Sequence, residues 1–149
     1  MIHFLLSLLV VYSAFIIQAS LFPVGPDLVL LCVVVFALHE RRLFATALGL
    51  LAGLLLDLTT PLSLGANVLA LGAIGYVAAS VHPIFYRARW YVPALTATAL
   101  VLKHAVRFVA GAGLPSLPLL ALLGLTTVAL SPLAESLLAR IFLRRWQTS

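Results

Sequence analysis

The stretch DLVLLCVVVFALHERRLFATALGLLAGLLLDLTT, residues 27–60, decides how this chain is folded. It contains two apolar runs on either side of the polar turn His39-Glu40-Arg41-Arg42. A re-entrant loop would bury that turn at membrane depth, where each charge costs about 2.5–3.5 kcal/mol. The stretch therefore predicts a hairpin of two transmembrane helices whose turn lies at a water interface.

The composition of the whole chain is that of an integral membrane protein. Of its 149 residues, 64% are hydrophobic and 9% are charged, whereas soluble domains carry about 25% charged residues. The net charge of +5 does not indicate nucleic-acid binding, because the basic residues stand in short clusters beside apolar runs. The single cysteine, Cys32, cannot form a disulfide within the chain, and no Cys/His spacing resembles a metal site.

Six apolar runs predict an all-α membrane protein with six transmembrane helices in one bundle, a single domain over residues 1–149. The expected spans are residues 2–22, 27–39, 43–58, 64–81, 90–110 and 118–142. The first span lacks a positive n-region and exceeds the roughly 7–15 residues of a signal-peptide core. We interpret it as a retained helix, with cleavage after Ala19 as the alternative. The second and third spans fall short of about 20 residues, which implies local membrane thinning or shielding by neighbouring helices.

The basic residues alternate between the linkers and so predict the orientation. The second and fourth linkers and the C-terminal end carry arginines, whereas the other three linkers have no Lys or Arg. The positive-inside rule then places both termini in the cytoplasm. The same rule predicts a cytoplasmic basic surface of Arg41, Arg42, Arg87 and Arg89. This surface would meet a cytoplasmic partner or anionic lipid, and attraction to anionic lipid is sufficient to explain it.

Five polar residues are expected in the outer half of the bundle, where an unpaired charge is costly. They are Asp27, Asp57, Asn67, Lys103 and Arg107. We expect them to form one paired network that faces the bundle interior, with the acids as counter-charges to the bases. Three interpretations of this network stay open. It fixes helix packing alone, it lines a path for a ligand or a proton, or it forms part of a docking surface for a partner helix.

Small residues recur every four positions in the third span and end at Asp57. Ala45, Gly49 and Gly53 lie on one helix face, and such faces let helices approach closely in lipid. The fourth span offers a matching small-residue face. The sequence therefore predicts a helix-packing stripe between the third and fourth spans.

Motifs for catalysis are missing from the sequence. It has no phosphate-binding Gly-Lys-Ser/Thr loop, no HExxH pair and no G-x-S-x-G elbow. A dyad of Asp27 and Asp57 would need one protonated carboxyl, but Lys103 and Arg107 would hold both carboxyls ionised. We therefore expect a protein that is not an enzyme and that has no cofactor and no metal site.

The order of features in residues 26–71, PDLVLLCVVVFALHERRLFATALGLLAGLLLDLTTPLSLGANVLAL, resembles the MreD family of rod shape-determining proteins. A Pro-Asp pair opens an apolar span, a short basic turn follows, and a Gly-rich span ends in Asp before Pro-Leu-x-Leu-Gly. The residues that match this pattern in order are Pro26, Asp27, Arg41, Arg42, Gly49, Gly53, Asp57, Leu64, Gly65 and Asn67. The similarity is best over roughly residues 22–80, and the rest of the chain agrees mainly in hydropathy.

The resemblance implies a non-enzymatic scaffold in the bacterial inner membrane that supports rod shape and side-wall peptidoglycan synthesis. Its implied partners are an MreC-like single-span protein and, with it, RodA, a penicillin-binding transpeptidase and MreB. It also implies a fold similar to the six-helix substrate-binding subunits of energy-coupling-factor transporters. The alternative function is accordingly a small-molecule-binding subunit of a membrane transporter.

Overall fold

A computed structural model of the protein describes residues 2–21, 26–59, 65–85, 90–111 and 116–142, and the predicted all-α fold with six helices is confirmed there. No strand occurs within these ranges. The helices are α1 (Ile2–Leu21), α2 (Leu28–His39), α3 (Arg42–Thr59), α4 (Ala66–Phe85), α5 (Tyr91–Val109) and α6 (Leu117–Phe142). Each boundary lies within a few residues of the expected span. Arg87 and Arg89, two members of the predicted cytoplasmic basic surface, lie outside the described residues.

Four of the helices contain segments that are long and apolar enough to cross a membrane. These segments are Phe4–Leu21, Arg42–Thr59, Tyr91–Val109 and Pro118–Leu138. The other two apolar helical segments, Leu28–His39 and Ala66–Val81, are shorter. At 1.5 Å per residue, α2 is about 18 Å long, well short of the roughly 30 Å hydrocarbon core of a bilayer.

The short helix α2 is the centre of the bundle. It contacts all five other helices, and nine of its twelve residues are buried. A helix that is apolar all round belongs in such an interior position. Val33 of α2, Leu48 of α3, Leu71 of α4 and Leu100 of α5 share one core cluster. The neighbouring helices therefore shield α2, which is the second of the two explanations expected for a short span.

Helices α3 and α4 approach each other closely because their contact faces carry glycine. A Cβ atom built on Gly53 would lie 2.6 Å from the backbone nitrogen of Val68, and one built on Gly49 would lie 2.8 Å from the carbonyl carbon of Leu71. Both distances are below those that real Cβ atoms adopt. The small-residue face of α3 therefore lies against α4, where backbone meets backbone.

Helix α6 continues through Pro132, and the carbonyl group that loses its usual donor there still accepts a hydrogen bond. Proline has no N–H, so it cannot donate to the carbonyl four residues earlier, which is that of Val128. The buried Ser131 hydroxyl donates to the Val128 carbonyl oxygen at 2.7 Å instead. This local replacement is one reason why α6 runs uninterrupted from Leu117 to Phe142.

Candidate functional site

The five residues expected to form one polar network are divided in the structure. Asp27 and Lys103 meet at the N-terminus of α2, which we call the α2 centre. Asp57 and Asn67 meet at the N-terminus of α4, which we call the α4 centre. Arg107 makes no hydrogen bond or ion pair with either centre in the described part of the chain.

The α2 centre contains an ion pair between the ammonium of Lys103 on α5 and the Oδ2 atom of Asp27. Both side chains are shielded, with relative exposures of 6% for Lys103 and 13% for Asp27. Lys103 lies on the buried face of α5, together with Thr96 and Ala99. Removing one member of a buried pair strands the other charge, so this contact fixes α5 against α2.

Asp27 also caps α2, and residues of α1 and α6 complete the same centre. Its Oδ1 atom accepts a hydrogen bond from the backbone N–H of Leu30 at 3.2 Å. The backbone N–H of Val29 donates to Oε1 of Gln18 on α1 at 3.1 Å. The backbone N–H of Asp27 donates to Oγ1 of Thr127 on α6 at 3.0 Å. The first amides of α2 lack partners within their own helix. That of Leu28 donates to the Pro26 carbonyl oxygen at 2.9 Å, and those of Val29 and Leu30 donate to the side chains of Gln18 and Asp27.

Thr127 also belongs to the α2 centre, although the sequence does not identify it. Its side chain is fully buried, and its hydroxyl donates to the Leu123 carbonyl at 2.7 Å while accepting from Asp27. Threonines that bond back to their own helix are ordinary in membrane helices. In the sequence, Thr127 differs from other such threonines in no visible way. Nothing near it indicates the hydrogen bond to Asp27, which lies 100 residues away in the chain.

The α4 centre joins the end of α3 to the start of α4 through one carboxylate. Asp57 is 1% exposed. Its Oδ2 atom accepts from the backbone N–H groups of Gly65 at 2.8 Å and Val68 at 3.2 Å. Its Oδ1 atom accepts from the Asn67 side-chain amide at 2.8 Å and the Asn67 backbone N–H at 3.3 Å. Gly65 has a φ of +89°, a conformation that favours glycine.

The geometry of the α4 centre changes the assignment of the counter-charge for Asp57. We expected that counter-charge to be a base, but the described residues include no salt bridge to Asp57. The carboxylate instead faces the N-terminus of α4, where unpaired N–H groups and the helix dipole stabilise negative charge. Asp57 is thus an N-terminal cap supplied from a neighbouring helix.

Among the described residues at this end of the bundle, two buried polar atoms have no hydrogen-bond partner. They are the buried Oδ1 atom of Asn67 and the buried Nε atom of Arg107. Arg107 lies in the last turn of α5, one turn beyond Lys103, and is half-buried. Within the described part of the chain, Lys103 therefore has a counter-charge and Arg107 has none.

The chemistry available to the two centres is that of fixed helix joints. The oxygens of Asp27 and Asp57 are engaged by an ammonium or by amide donors from different helix N-termini. Within the described ranges, no three His, Cys, Asp or Glu side chains form a group that could hold a metal ion. The α2 centre joins α1, α5 and α6 to α2, and the α4 centre joins α3 to α4. Every carboxylate oxygen of Asp27 and Asp57 accepts at least one hydrogen bond.

The turn between α2 and α3 lies at the opposite end of the bundle from the two centres. Arg41 and Arg42 are exposed there. Glu40 is half-buried, and its buried Oε1 atom has no hydrogen-bond partner among the residues that the structure describes. Burial raises the pKa of the Glu40 carboxyl, although the backbone N–H and the charge of Arg41 oppose that shift. The predicted basic surface is therefore described only in part, and its role stays a prediction.

Comparison with known proteins gives a family match over almost the whole chain. The family model described as rod shape-determining protein MreD matches residues 1–140. No curated protein and no solved structure matches the chain. The expected likeness to subunits of energy-coupling-factor transporters therefore stays a prediction.

Proposed function

The chain belongs to the MreD family of rod shape-determining proteins, and from this premise we propose that it is a non-enzymatic scaffold of the bacterial elongation machinery. In this proposal it lies in the inner membrane with both termini in the cytoplasm. It binds the transmembrane helix of an MreC-like single-span protein and thereby supports side-wall peptidoglycan synthesis. RodA, the penicillin-binding transpeptidase and MreB would act through the same assembly.

The observation that carries the scaffold proposal, beside the family match, is the use of the buried carboxylates as helix joints. Asp27 binds Lys103 and caps α2, while Asp57 caps α4. Groups committed to such contacts stabilise one arrangement of helices, which a scaffold requires. A proton carrier or a ligand-binding carboxylate would instead need an accessible oxygen.

The same contacts weigh against the alternative of a small-molecule-binding transporter subunit. That alternative needs the predicted polar residues to face a ligand. Four of the five are bonded to other groups of the chain, namely Asp27 to Lys103 and Asp57 to Asn67. The scaffold is therefore the better supported function.

The surface offered to a partner helix is proposed to lie on the least enclosed helices. The stripe of Ala45, Gly49 and Gly53 is already covered by α4. In α1 and α6, by contrast, only 11% of the candidate span is buried, compared with 33% in α3 and 28% in α5. Apolar side chains such as Leu9 and Leu125 are 62% and 73% exposed there. A partner helix would pack against these side chains.

Photocrosslinking in the native membrane tests both the partner and the surface. A photoreactive residue would replace Leu9, Leu125 or, as a buried control, Val33. We expect Leu9 or Leu125 to crosslink to the MreC-like protein and Val33 to give no product. Failure of every exposed position to crosslink, together with failure to co-purify the MreC-like protein with the folded chain, would refute the binding proposal.

A depletion experiment tests the role in shape separately. Rod-shaped cells depleted of this chain should become round, and the wild-type chain should restore rods. Retention of rod shape and of side-wall synthesis after full depletion would contradict the proposed role. Fusion of a reporter that is active only in the cytoplasm to each terminus would test the orientation, and an inactive reporter on a stably produced fusion would contradict it.

A further inference from the structure

Arg107 occupies a defined depth in the membrane whichever way the chain is oriented. It is the third residue from the end of α5, which runs from Tyr91 to Val109. These 19 residues extend about 28 Å at 1.5 Å per residue, close to the roughly 30 Å of the hydrocarbon core. The guanidinium of Arg107 therefore lies near the lipid headgroups.

The described carboxylates leave Arg107 without a counter-charge. The chain has four acidic residues, and all four are described. Asp27 pairs with Lys103, and Asp57 caps α4. Glu40 lies in the turn at the opposite end of the bundle, and Glu135 lies in the half of α6 nearer that end. No described carboxylate forms an ion pair with Arg107.

The surroundings of Arg107 identify the kind of ligand it needs. Its Nε atom is buried and has no acceptor among the described residues. The side chain as a whole is only half-buried, so an acceptor from outside the chain would bind the exposed part of the guanidinium rather than Nε. The next two residues, Phe108 and Val109, are 62% and 86% exposed, so the same turn of α5 offers apolar side chains to the hydrocarbon of the membrane. A ligand that fits has an anion at headgroup level and hydrocarbon beside it.

We propose that Arg107 binds the phosphate of an anionic phospholipid. A guanidinium presents paired N–H donors that match phosphate oxygens, and this geometry distinguishes it from a lysine ammonium. The acyl chains of the same lipid would cover Phe108 and Val109. Lys103, one turn deeper, does not compete for the phosphate because Asp27 neutralises it.

Native mass spectrometry of the purified chain tests this site. Wild type, Arg107→Gln, Arg107→Lys and Arg140→Gln would be released from detergent containing phosphatidylglycerol or phosphatidylcholine. Arg140 is a matched control because it is exposed and also lies in the last turn of its helix. Helix content by circular dichroism would verify that each variant is folded.

We expect wild type to retain phosphatidylglycerol in preference to phosphatidylcholine. Arg107→Gln should lower that preference about fivefold, the effect expected for one cation at an anionic membrane surface. Arg107→Lys and Arg140→Gln should each lower it by a smaller factor. Excess inorganic phosphate should not displace the lipid, since it lacks acyl chains. Displacement by inorganic phosphate would contradict a lipid site.

Three further results would overturn the proposal. The first is an unchanged lipid preference in folded Arg107→Gln. The second is an equal loss in Arg140→Gln, which would indicate unspecific charge attraction. The third is equal retention of phosphatidylglycerol and phosphatidylcholine by folded wild type, which would show that no site on the chain selects the anionic lipid. Because the measurement uses the chain alone, its outcome does not depend on the proposed scaffold function.

Discussion

Replacing Asp57 tests most directly whether this residue acts as a helix cap or as a counter-charge. If Asp57 caps α4, Asp57→Ala leaves the N–H groups of Gly65, Asn67 and Val68 without their acceptor. If Asp57 neutralised a base instead, the damage would come from that stranded base. Only in the second interpretation should a further substitution that removes the base restore stability to a variant that lacks the Asp57 charge.

The size of the effect follows from the four hydrogen bonds that Asp57 accepts. A hydrogen bond to a charged group is worth about 1.5–3 kcal/mol, and loss of an N-cap costs up to about 2 kcal/mol. Because the four bonds share one carboxylate, they do not add, and we expect Asp57→Ala to cost about 3 kcal/mol. Asp57→Asn keeps one carbonyl oxygen as an acceptor and should cost about half as much. For a chain of this size, about 3 kcal/mol corresponds to a fall of roughly 6–12 °C in the unfolding midpoint.

The assay is thermal unfolding in detergent, followed by circular dichroism. Glu135→Gln serves as the control, because it removes a half-buried carboxylate that has no ion pair among the described residues. The decisive measurement is a double-mutant cycle. Adding Lys103→Met to Asp57→Asn should give additive losses within about 0.5 kcal/mol, as expected for residues that share no contact.

Rescue in that cycle would refute the reasoning. If Lys103→Met restored stability to Asp57→Asn, Asp57 would be the counter-charge of Lys103 and the cap would be incidental. A larger loss of stability in Asp57→Asn than in Asp57→Ala would also contradict the capping geometry.

The remaining predictions concern the ion pair, the glycine contact and the polar turn. Lys103→Met should lower the free energy of unfolding by about 3–5 kcal/mol because it leaves Asp27 as an unpaired buried charge. Adding Asp27→Asn, which still caps α2, should recover a large part of that loss. Additive losses in the double mutant would contradict the ion pair. Gly53→Ala should lower the free energy of unfolding by about 1–3 kcal/mol because its Cβ would meet the backbone of α4. In the control Gly124→Ala the added Cβ would have nothing within 4 Å, so the variant should be neutral or more stable by up to about 1 kcal/mol. Equal unfolding midpoints for the two variants would be inconsistent with the close contact. Because the pKa of Glu40 is raised above its ordinary value of 4.5, ionisation opposes folding. The midpoint of Glu40→Gln should therefore rise relative to wild type as the pH increases above 4.5, and a constant difference from pH 4 to 8 would contradict the shift.

Much of the fold could be predicted because hydropathy and helix length are local properties. Apolar runs interrupted by HERR and by Pro/Gly-rich linkers locate six helices to within a few residues. The close approach of α3 and α4 could also be predicted, since Gly49 and Gly53 have no side chain to keep a neighbour away. The central position of α2 could not be predicted, because a short apolar run is equally compatible with a thinned membrane.

The candidate site was less predictable because the sequence shows side-chain charges but not the free amides at helix N-termini. From the charges alone, two acids were expected to pair with two bases. In the structure, Asp27 forms an ion pair with Lys103, whereas Asp57 accepts hydrogen bonds from the N-terminus of α4. The contact of Asp27 with Thr127 joins residues that are 100 positions apart. No local pattern encodes such a distance.

The sequence by itself thus determined that this is a membrane protein, the number of its helices and its resemblance to the MreD family. Each of these depends on the order of apolar and small residues along the chain. Only the tertiary structure decided which donor faces which carboxylate, and that changes the meaning of the stretch that ends in Asp57. Its glycines bring α3 against α4, and its carboxylate then reaches the first amides of α4. Backbone N–H groups become ligands only after two helices have been placed side by side, so no reading of the side chains alone could have assigned them.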